Sequence, residues 1–492
     1  MRGPSHIMEE KPVLLSFVWM MGMQSIIGSD GGSGGMVMAR QWESLRPRFH
    51  FTARSGWIND PNGLVYYRGE YHLFFQHNPY STQDGIKAWG HAVSPDLIHW
   101  QHLGDAIMPD EMGAIWSGSA VVDRENTSGL GSSKNPAIVA FYTAAGGTTP
   151  ASSGKSFTQC IAFSTDRGRS WIKYPGNPVL AHIADQNRDP RVFWYGQGRK
   201  WIMALYLTGN TYGLFASQDL IHWTRLSTVT MPGSSECPDM FELPVVGEPG
   251  AARWIFVGGD GRYLIGRFDG NQFLPEAGPL QVDYGPNFYA TQTWNDAPRS
   301  RRIQIAWMAG GRYPNMPFNQ QLTLPFELTL RRTPDGLRMF REPIREFTRL
   351  RGHATKLPNT LIGPNRSLRI SAPSDLVEMH VVLEIAECQR VVLQMGDVEI
   401  SYSVKDGGLQ AMGRSCPLRL ENGRLSLHLI RDRTSLEVIA GNGAATFSGC
   451  IPPARDHLHI EISVEGGTGK VVSGTLWPIK PALEEAGAET AH

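Results

Sequence analysis

An irregular internal repeat limits what this chain can fold into more than any other feature of its 492 residues. Each copy is a pair of apolar, strand-like runs joined by a turn, and the clearest copies begin at Asp60, Asp189 and Asp239. Weaker copies begin at Ser117 and near Tyr289, so that successive starts are 50 to 72 residues apart. Such spacing is typical of four-stranded blades with one variable loop each. The repeat therefore predicts a five-bladed β-propeller.

The candidate catalytic residues, mostly carboxylates, lie at or near the starts of these hairpins. A propeller closes radially, so that the innermost strands of all blades begin around one axial funnel. Asp60, Ser117, Asp189 and the Glu236–Asp239 pair are therefore predicted to converge, although they lie far apart in the sequence. Asp-Pro and Asn-Gly are turn signals. Together, at residues 60–63, they predict a tight turn that directs Asp60 into the funnel.

A second motif recurs between the hairpins, as SPDLIHW at residues 94–100 and as SQDLIHW at residues 217–223. It places His99 and His222 at equivalent positions. We interpret both histidines as structural residues of the blades rather than as ligands, because they stand at equivalent positions of a repeated motif.

The pattern changes after residue 345. Short, partly alternating strand patterns separated by glycine-rich turns extend from residue 368 to residue 476, which is typical of a β-sandwich. No cluster of acid and base residues is apparent there. We predict an all-β protein with a catalytic propeller over residues 48–345, a linker over 346–355, a sandwich over 356–482 and a tail over 483–492. The length and the 54 glycines and 33 prolines agree with a turn-rich, two-domain chain.

Residues 1–47 are predicted to lie outside the fold. The apolar run at residues 13–21 is too short to span a membrane. It resembles a signal-peptide core, but Glu9 and Glu10 stand where basic residues are expected. Residues 28–35 (GSDGGSGG) are typical of a flexible linker. A secreted, a periplasmic and a cytoplasmic location all stay open.

The charge composition favours a neutral substrate. The formal net charge is zero and no block of Lys or Arg stands out, so neither a nucleic acid nor a membrane surface is expected as a partner. The five cysteines show no Cys-x-x-Cys spacing, so no zinc site is predicted. The sequence indicates neither a metal ion nor another cofactor, and it does not indicate an oligomeric state.

Paired carboxylates at the funnel suggest hydrolysis of a glycosidic bond, in which one acts as nucleophile and the other as general acid and base. Backbone N–H groups of the turn and the neighbouring Asn59 are expected to stabilise an Asp60 anion. Arg188 precedes Asp189, and we expect this pairing to keep Asp189 ionised. An ionised Asp189 would be suited to holding sugar hydroxyl groups.

Three motifs resemble the signatures of glycoside hydrolase family 32, the β-fructofuranosidase family of invertases, levanases and inulinases. They are WINDPNG at residues 57–63, RDP at residues 188–190 and ECP at residues 236–238. WGHAVS at residues 89–94, WSGSA at residues 116–120 and DRTSLEV at residues 432–438 also match, so the resemblance covers about residues 48–480. It implies a five-bladed propeller followed by a C-terminal β-sandwich.

The resemblance also implies an activity, which is retaining hydrolysis of terminal β-fructosyl linkages in sucrose or fructans without a cofactor. It assigns Asp60 as the nucleophile, Glu236 as the acid/base and Asp189 as the stabiliser of the transition state. Residues expected to contact the substrate are Asn59, Gln76, Trp116, Ser117, Arg188 and Asp239.

An exo-acting β-fructofuranosidase is the main hypothesis from the sequence, and three alternatives stay open. A fructosyltransferase would use the same covalent intermediate. An arabinose-specific five-bladed hydrolase would invert the anomeric configuration. A non-catalytic fructan-binding protein would be expected to have lost a carboxylate. The preference among sucrose, inulin and levan is not predicted.

Overall fold

The computed structural model describes residues 43–385, 387–454 and 457–482. Strands and turns dominate this part of the chain, with four short 3-10 helices at Pro150–Ser152, Gly196–Gly198, Pro298–Ser300 and Arg345–Leu350. None of its helices is long and apolar enough to cross a membrane. The predicted leader lies outside the described residues up to residue 42, and the predicted tail lies outside them entirely.

Among the described residues, five sheets form the propeller, each built on four antiparallel strands. The first blade contains β1 (Gly56–Tyr67), β2 (Glu70–Asn78), β3 (Ala88–Ser94) and β4 (Gln101–Ile107). The second contains β5 (Ala114–Asp123), β6 (Ala137–Ala145), β7 (Thr158–Ser164) and β8 (Ile172–Lys173). The third contains β9 (Arg188–Tyr195), β10 (Lys200–Thr208), β11 (Thr211–Ser217) and β12 (Thr224–Thr230).

The fourth blade contains β13 (Asp239–Pro244), β14 (Ala252–Val257), β15 (Arg262–Phe268) and β16 (Phe273–Gln281). The fifth contains β17 (Tyr289–Thr293), β18 (Ile303–Trp307), β20 (Phe326–Thr333) and β21 (Gly336–Pro343). The short β19 (Phe318–Asn319) leaves this blade and pairs in parallel with β1 of the first blade. This pairing links the last blade to the first.

The first strand of each blade lies nearest the axis. Each of β1, β5, β9, β13 and β17 contacts a first strand of another blade. Apolar side chains fill the spaces between neighbouring blades, such as Val121 and Phe141 of the second blade against Trp201 and Phe215 of the third. The five strand starts predicted from the repeat therefore meet around one axis.

In the described part of the chain, thirteen strands follow in two sheets that enclose a separate apolar core. One sheet contains β22 (Thr355–Lys356), β23 (Thr360–Ile362), β25 (Leu376–Glu384), β30 (Arg424–Asp432), β31 (Ser435–Ala440), β32 (Ala445–Cys450) and β34 (Gly469–Pro478). The other contains β24 (Leu368–Ser371), β26 (Arg390–Met395), β27 (Val398–Ser403), β28 (Gly408–Ala411), β29 (Arg414–Pro417) and β33 (His459–Glu465). The predicted division into two domains stays a prediction, since the chain from Leu45 onward forms one compact unit.

A buried polar contact joins the propeller to the sandwich at His50. Its Nδ1 lies 2.8 Å from a carboxylate oxygen of Asp432, and its Nε2 lies 3.6 Å from Glu437. Asp432 also accepts the backbone N–H groups of residues 48–50. Burial opposes a charge on His50, but the hydrogen bond to Asp432 and the attraction of the nearby Glu437 carboxylate raise its pKa to about 9. The contact is therefore an ion pair at neutral pH.

Candidate active site

Residues 60–63 do not form the predicted turn. Strand β1 continues through them to Tyr67, and its pairing with β2 shifts register between Ile58 and Pro61 and again between Asn62 and Val65. Such bulges bend a strand and redirect its side chains, which is the effect that the turn was expected to have. At Gly63, φ is +57° and an added Cβ would lie 2.4 Å from the Phe74 ring, so this bend requires glycine.

Asp60 lies in a network of buried polar side chains from three strands. Asn59 Nδ2 donates to Asp60 Oδ1 at 2.9 Å and to Gln76 Oε1 at 3.1 Å. Gln76 Nε2 lies 3.3 Å from Asp60 Oδ2, and the Ser117 hydroxyl donates to the same oxygen. Burial raises the pKa of Asp60, whereas the hydrogen bonds from Ser117 and Asn59 lower it. The network thus favours the anion against the cost of desolvation.

Cys237 connects Asp60 to Asp189. Its Sγ lies 3.6 Å from Asp60 Oδ2 and 3.5 Å from Asp189 Oδ2, and its backbone N–H donates to Asp189 Oδ2 at 2.9 Å. Burial raises the pKa of the thiol well above its ordinary value, so it is a neutral donor between two carboxylates. Asp189, Glu236 and Cys237 all have positive φ, a strained conformation that is concentrated at functional sites.

The expectation that Arg188 keeps Asp189 ionised is wrong. Burial raises the pKa of Asp189 to about 7, because the attraction of Arg188, which lowers the pKa, does not offset burial and the repulsion by Asp60. The Nε of Arg188 is 3.9 Å from Asp189, whereas its guanidinium donates to Glu236 Oε1 at 2.5 and 3.2 Å. Arg188 therefore pairs mainly with Glu236.

Two tyrosines that the sequence did not single out complete the group around Glu236. The Tyr289 hydroxyl donates to the second carboxylate oxygen of Glu236. The Arg188 guanidinium lies over the Tyr206 ring, 4.7 Å from its centroid, and 5.9 Å from the centroid of Trp116. Tyr289 begins the fifth hairpin, and this position in the repeat was the signal that would have identified it.

Asp239 lies apart from this group. Its side chain is 1% exposed, with one oxygen 2.8 Å from Arg191 Nε and the other accepting the backbone N–H of Thr293 at 2.7 Å. One oxygen thus accepts a backbone hydrogen bond and the other faces the Arg191 guanidinium, both inside the propeller. The structure brings together eight of the nine predicted residues, namely Asn59, Asp60, Gln76, Trp116, Ser117, Arg188, Asp189 and Glu236, and it gives Asp239 a structural ion pair.

A second group of titratable side chains lies in the sandwich, where no such cluster was predicted from the sequence. Ligand atoms of Glu378, His380 and His428 lie within 4.8 Å of one another. Arg351 donates to both oxygens of the fully buried Glu378, each at 2.6 Å, and His428 Nε2 lies 2.7 Å from one of them. Burial opposes ionisation, but these contacts hold the pKa of Glu378 far below its usual range. Since Arg351 occupies both oxygens, the group is an ion-pair network.

Comparisons with known proteins agree with the geometry. The family description "Glycosyl hydrolases family 32 N-terminal domain" matches residues 50–343, and "Glycosyl hydrolases family 32 C terminal" matches residues 397–478. A levanase of Bacillus subtilis is 36% identical over 89% of this chain and 71% of its own length.

Solved structures share the fold. The exo-inulinase of Aspergillus awamori superposes with a TM-score of 0.80 at 25% identity, over 89% of this chain and 99% of that one. A fructofuranosidase of Schwanniomyces occidentalis, complexed with fructosylnystose, gives a TM-score of 0.78 at 25% identity, over 89% and 98% of the two chains. The predicted fold class, a propeller followed by a sandwich, is confirmed. The chain belongs to glycoside hydrolase family 32 and is a β-fructofuranosidase.

Proposed function

We propose that the enzyme removes terminal fructose units from sucrose and fructans, with Asp60 as nucleophile and Glu236 as acid/base. The observation that carries this proposal is the convergence of Asp60, Asp189 and Glu236, which lie in or just before the first strands of three blades. Cys237 contacts the first two, and Arg188 connects Glu236 to Asp189. A retaining glycosidase needs two carboxyl groups on opposite sides of the scissile bond.

In the first step, an Asp60 oxygen attacks the anomeric carbon of the terminal fructosyl unit. The bond to the leaving-group oxygen breaks while Glu236 gives that oxygen its proton. In the second step, Glu236 takes a proton from water, the water oxygen bonds to the anomeric carbon, and the Asp60 carboxylate is released. The Ser117 and Asn59 donors favour Asp60 as the anion before attack and after release.

Asp189 is assigned to the fructose hydroxyls. With a pKa raised to about 7, its carboxyl group exchanges a proton near neutral pH, so it can donate or accept a hydrogen bond there. Its backbone-fixed position beside Asp60 suits contact with the ring being transferred. Arg188, held over Tyr206, orients the Glu236 carboxyl group together with Tyr289.

The test is fructose release from sucrose, inulin and levan by the parent enzyme and by Asp60→Asn and Glu236→Gln. Each variant should lose activity by about a thousandfold or more, because each removes a group that acts directly on the reacting atoms. Asp219→Asn, which changes a carboxylate in an outer turn of the third blade, serves as the matched control and should keep parental activity.

Full activity in Asp60→Asn or Glu236→Gln would contradict the assignment. Product analysis separates the remaining alternatives. Release of the β-anomer as the first product is expected for retention, and the opposite anomer would indicate an inverting enzyme. Oligosaccharides longer than the substrate, as the main products at high sucrose concentration, would indicate a fructosyltransferase.

A further inference from the structure

The propeller axis is closed halfway by buried polar side chains. Arg191 Nε lies 2.8 Å from Asp239, and the same guanidinium donates to Thr293 O and Asn295 Oδ1, both at 3.0 Å. Asn295 Nδ2 in turn donates to the backbone of Ala120 at 2.8 Å and of the third blade at 3.0 Å. We call Arg191, Asp239, Thr293 and Asn295 the plug. Its residues and their partners lie in or next to the first strands of four blades, between the two ends of the axis.

A cavity of about 520 Å³ opens beyond the plug, at the end of the axis opposite Asp60. Strand β9 passes from Asp189 through Arg191 to Trp194, and β13 passes from Asp239 to Glu242, so both strands lead from the plug into this cavity. Six aromatic residues line it, namely Phe193, Trp194, Tyr195, Trp201, Phe241 and Trp254.

The tryptophans form a rigid and partly exposed surface. Trp194 is 36% exposed, and its ring packs edge-on against Trp201 with centroids 4.9 Å apart. Trp254 is half-buried and packs against Phe193, with centroids 5.4 Å apart. Exposed aromatic rings that are already held in place bind a ligand with little loss of side-chain freedom.

Polar groups surround the aromatic surface. Arg124 lies 3.1 Å from Asp296, and Arg302 lies over the Phe241 ring, 4.9 Å from its centroid. Glu242 is exposed, and among the described residues its carboxylate has no hydrogen bond or ion pair. Its oxygens are therefore available as acceptors for ligand hydroxyl groups.

The charges of the lining do not favour an anionic ligand. Two guanidinium groups, of Arg124 and Arg302, face three carboxylates, of Glu125, Glu242 and Asp296. The same side chains, except Glu125, also line an adjoining open cavity of about 640 Å³. Cavities of about 300–1,000 Å³ with aromatic walls and a few polar groups are typical small-molecule sites.

We propose that this cavity is a second carbohydrate-binding site, which holds a short segment of a fructan without cleaving it. Sugar C–H faces pack on Trp194 and Trp254, and hydroxyl groups donate to Glu242. This inference goes beyond the proposed function, because it needs none of the catalytic carboxylates.

The site lies too far from Asp60 to deliver the bound residue for hydrolysis. Five residue steps of β9 separate Asp189, which lies beside Asp60, from Trp194 in the cavity, which corresponds to about 17 Å of extended strand, and the plug lies between them. Binding there instead retains the enzyme on a polymer, so that chain ends of the same polymer stay at a high effective concentration near Asp60. Small substrates gain nothing from this arrangement.

The experiment is affinity electrophoresis of the full chain in native gels containing high-mass levan, inulin, dextran or no polysaccharide. Asp60→Asn is used as the background, so that the polymer is not consumed. Trp194→Ala should raise the dissociation constant for levan or inulin at least about fivefold. Leu361→Ala, which removes a 59% exposed apolar side chain from the sandwich, should leave it unchanged.

A second measurement separates loss of binding from damage to the fold. With Asp60 intact, Trp194→Ala should hydrolyse sucrose at the parental rate and lose rate on high-mass levan at limiting polymer concentration. If Trp194→Ala lowers the melting temperature, polysaccharide binding is compared in Glu242→Gln instead, because this substitution breaks no hydrogen bond or ion pair of the described residues. Unchanged retardation in Glu242→Gln and Trp194→Ala, or equal retardation in dextran, would overturn the proposal.

Discussion

Ser117 should set the acid limit of activity through its hydrogen bond to Asp60. The hydroxyl donates to Asp60 Oδ2 and accepts from Gln76 Nε2, and all three side chains are less than a tenth exposed. Burial raises the pKa of Asp60, and the Ser117 hydrogen bond is the largest contribution that lowers it. Ser117→Ala removes this donor, so the pKa of Asp60 should rise further.

The size of the effect follows from the charge on the acceptor. A hydrogen bond to a charged group contributes about 1.5–3 kcal/mol, and one pKa unit corresponds to about 1.4 kcal/mol. The acid limb of kcat/KM should therefore move up by about one to two pH units. Below this limb, Ser117→Ala should be slower by roughly 10- to 100-fold through ionisation alone.

The assay is the initial rate of fructose release from sucrose across the acidic and neutral pH range. Ser119→Ala is the matched control, because Ser119 lies two residues further along β5 and is fully buried. Its hydroxyl donates to Pro190 O at 2.8 Å and accepts from Val192 N at 2.9 Å, without contact to a carboxylate. An acid limb of Ser117→Ala at the parental pH would refute the reasoning, and an equal shift in Ser119→Ala would assign the effect to the fold.

Two further predictions concern stability. The pKa of His50 is raised to about 9, so its charged form stabilises the fold below about pH 6.5 and this contribution is lost as the pH rises through 9. Between these pH values, the unfolding free energy of the parent protein should fall by an amount on the order of 3 kcal/mol, as measured by urea unfolding. His50→Gln should not show this fall, and an equal fall in the variant would contradict the prediction. The pKa of Glu378 is lowered, so its contribution is present above about pH 4.3 and is lost as the pH falls. Glu378→Gln should lower the unfolding free energy at neutral pH by about 3–5 kcal/mol. Glu384→Gln, on the same strand but about half exposed, should change it by less than about 1 kcal/mol, and equal losses in the two variants would refute the role of burial.

Much of the site followed from local signals. Three of the residues, Asp60, Ser117 and Asp189, lie in the first strands of their blades. Glu236 lies just before the first strand of the fourth blade, so the repeat alone predicted that all four meet. Asn59 and Gln76 followed from the motifs around them. The bulges in β1 did not follow, because Asp-Pro-Asn-Gly favours a turn in isolation and only pairing with β2 keeps the segment extended.

The partners of the charged residues required the folded chain. Adjacency in sequence suggested an Arg188–Asp189 pair, but neighbouring residues of a strand point to opposite faces. Arg188 consequently turns toward Glu236, 48 positions away, and Asp239 turns toward Arg191. Tyr289 reaches Glu236 from another blade; the repeat marks the position of Tyr289 but does not give its partner.

The sequence by itself therefore determined the fold class, and it predicted the order of the blades and the meeting of the three carboxylates. Strand periodicity, turn residues and repeat spacing are properties of short segments, and each is readable without the rest of the chain. Only the tertiary structure decided which carboxylate each arginine neutralises, and that burial raises the pKa values of Asp60 and Asp189. Desolvation and charge pairing depend on every side chain around a group, and those neighbours come from different blades.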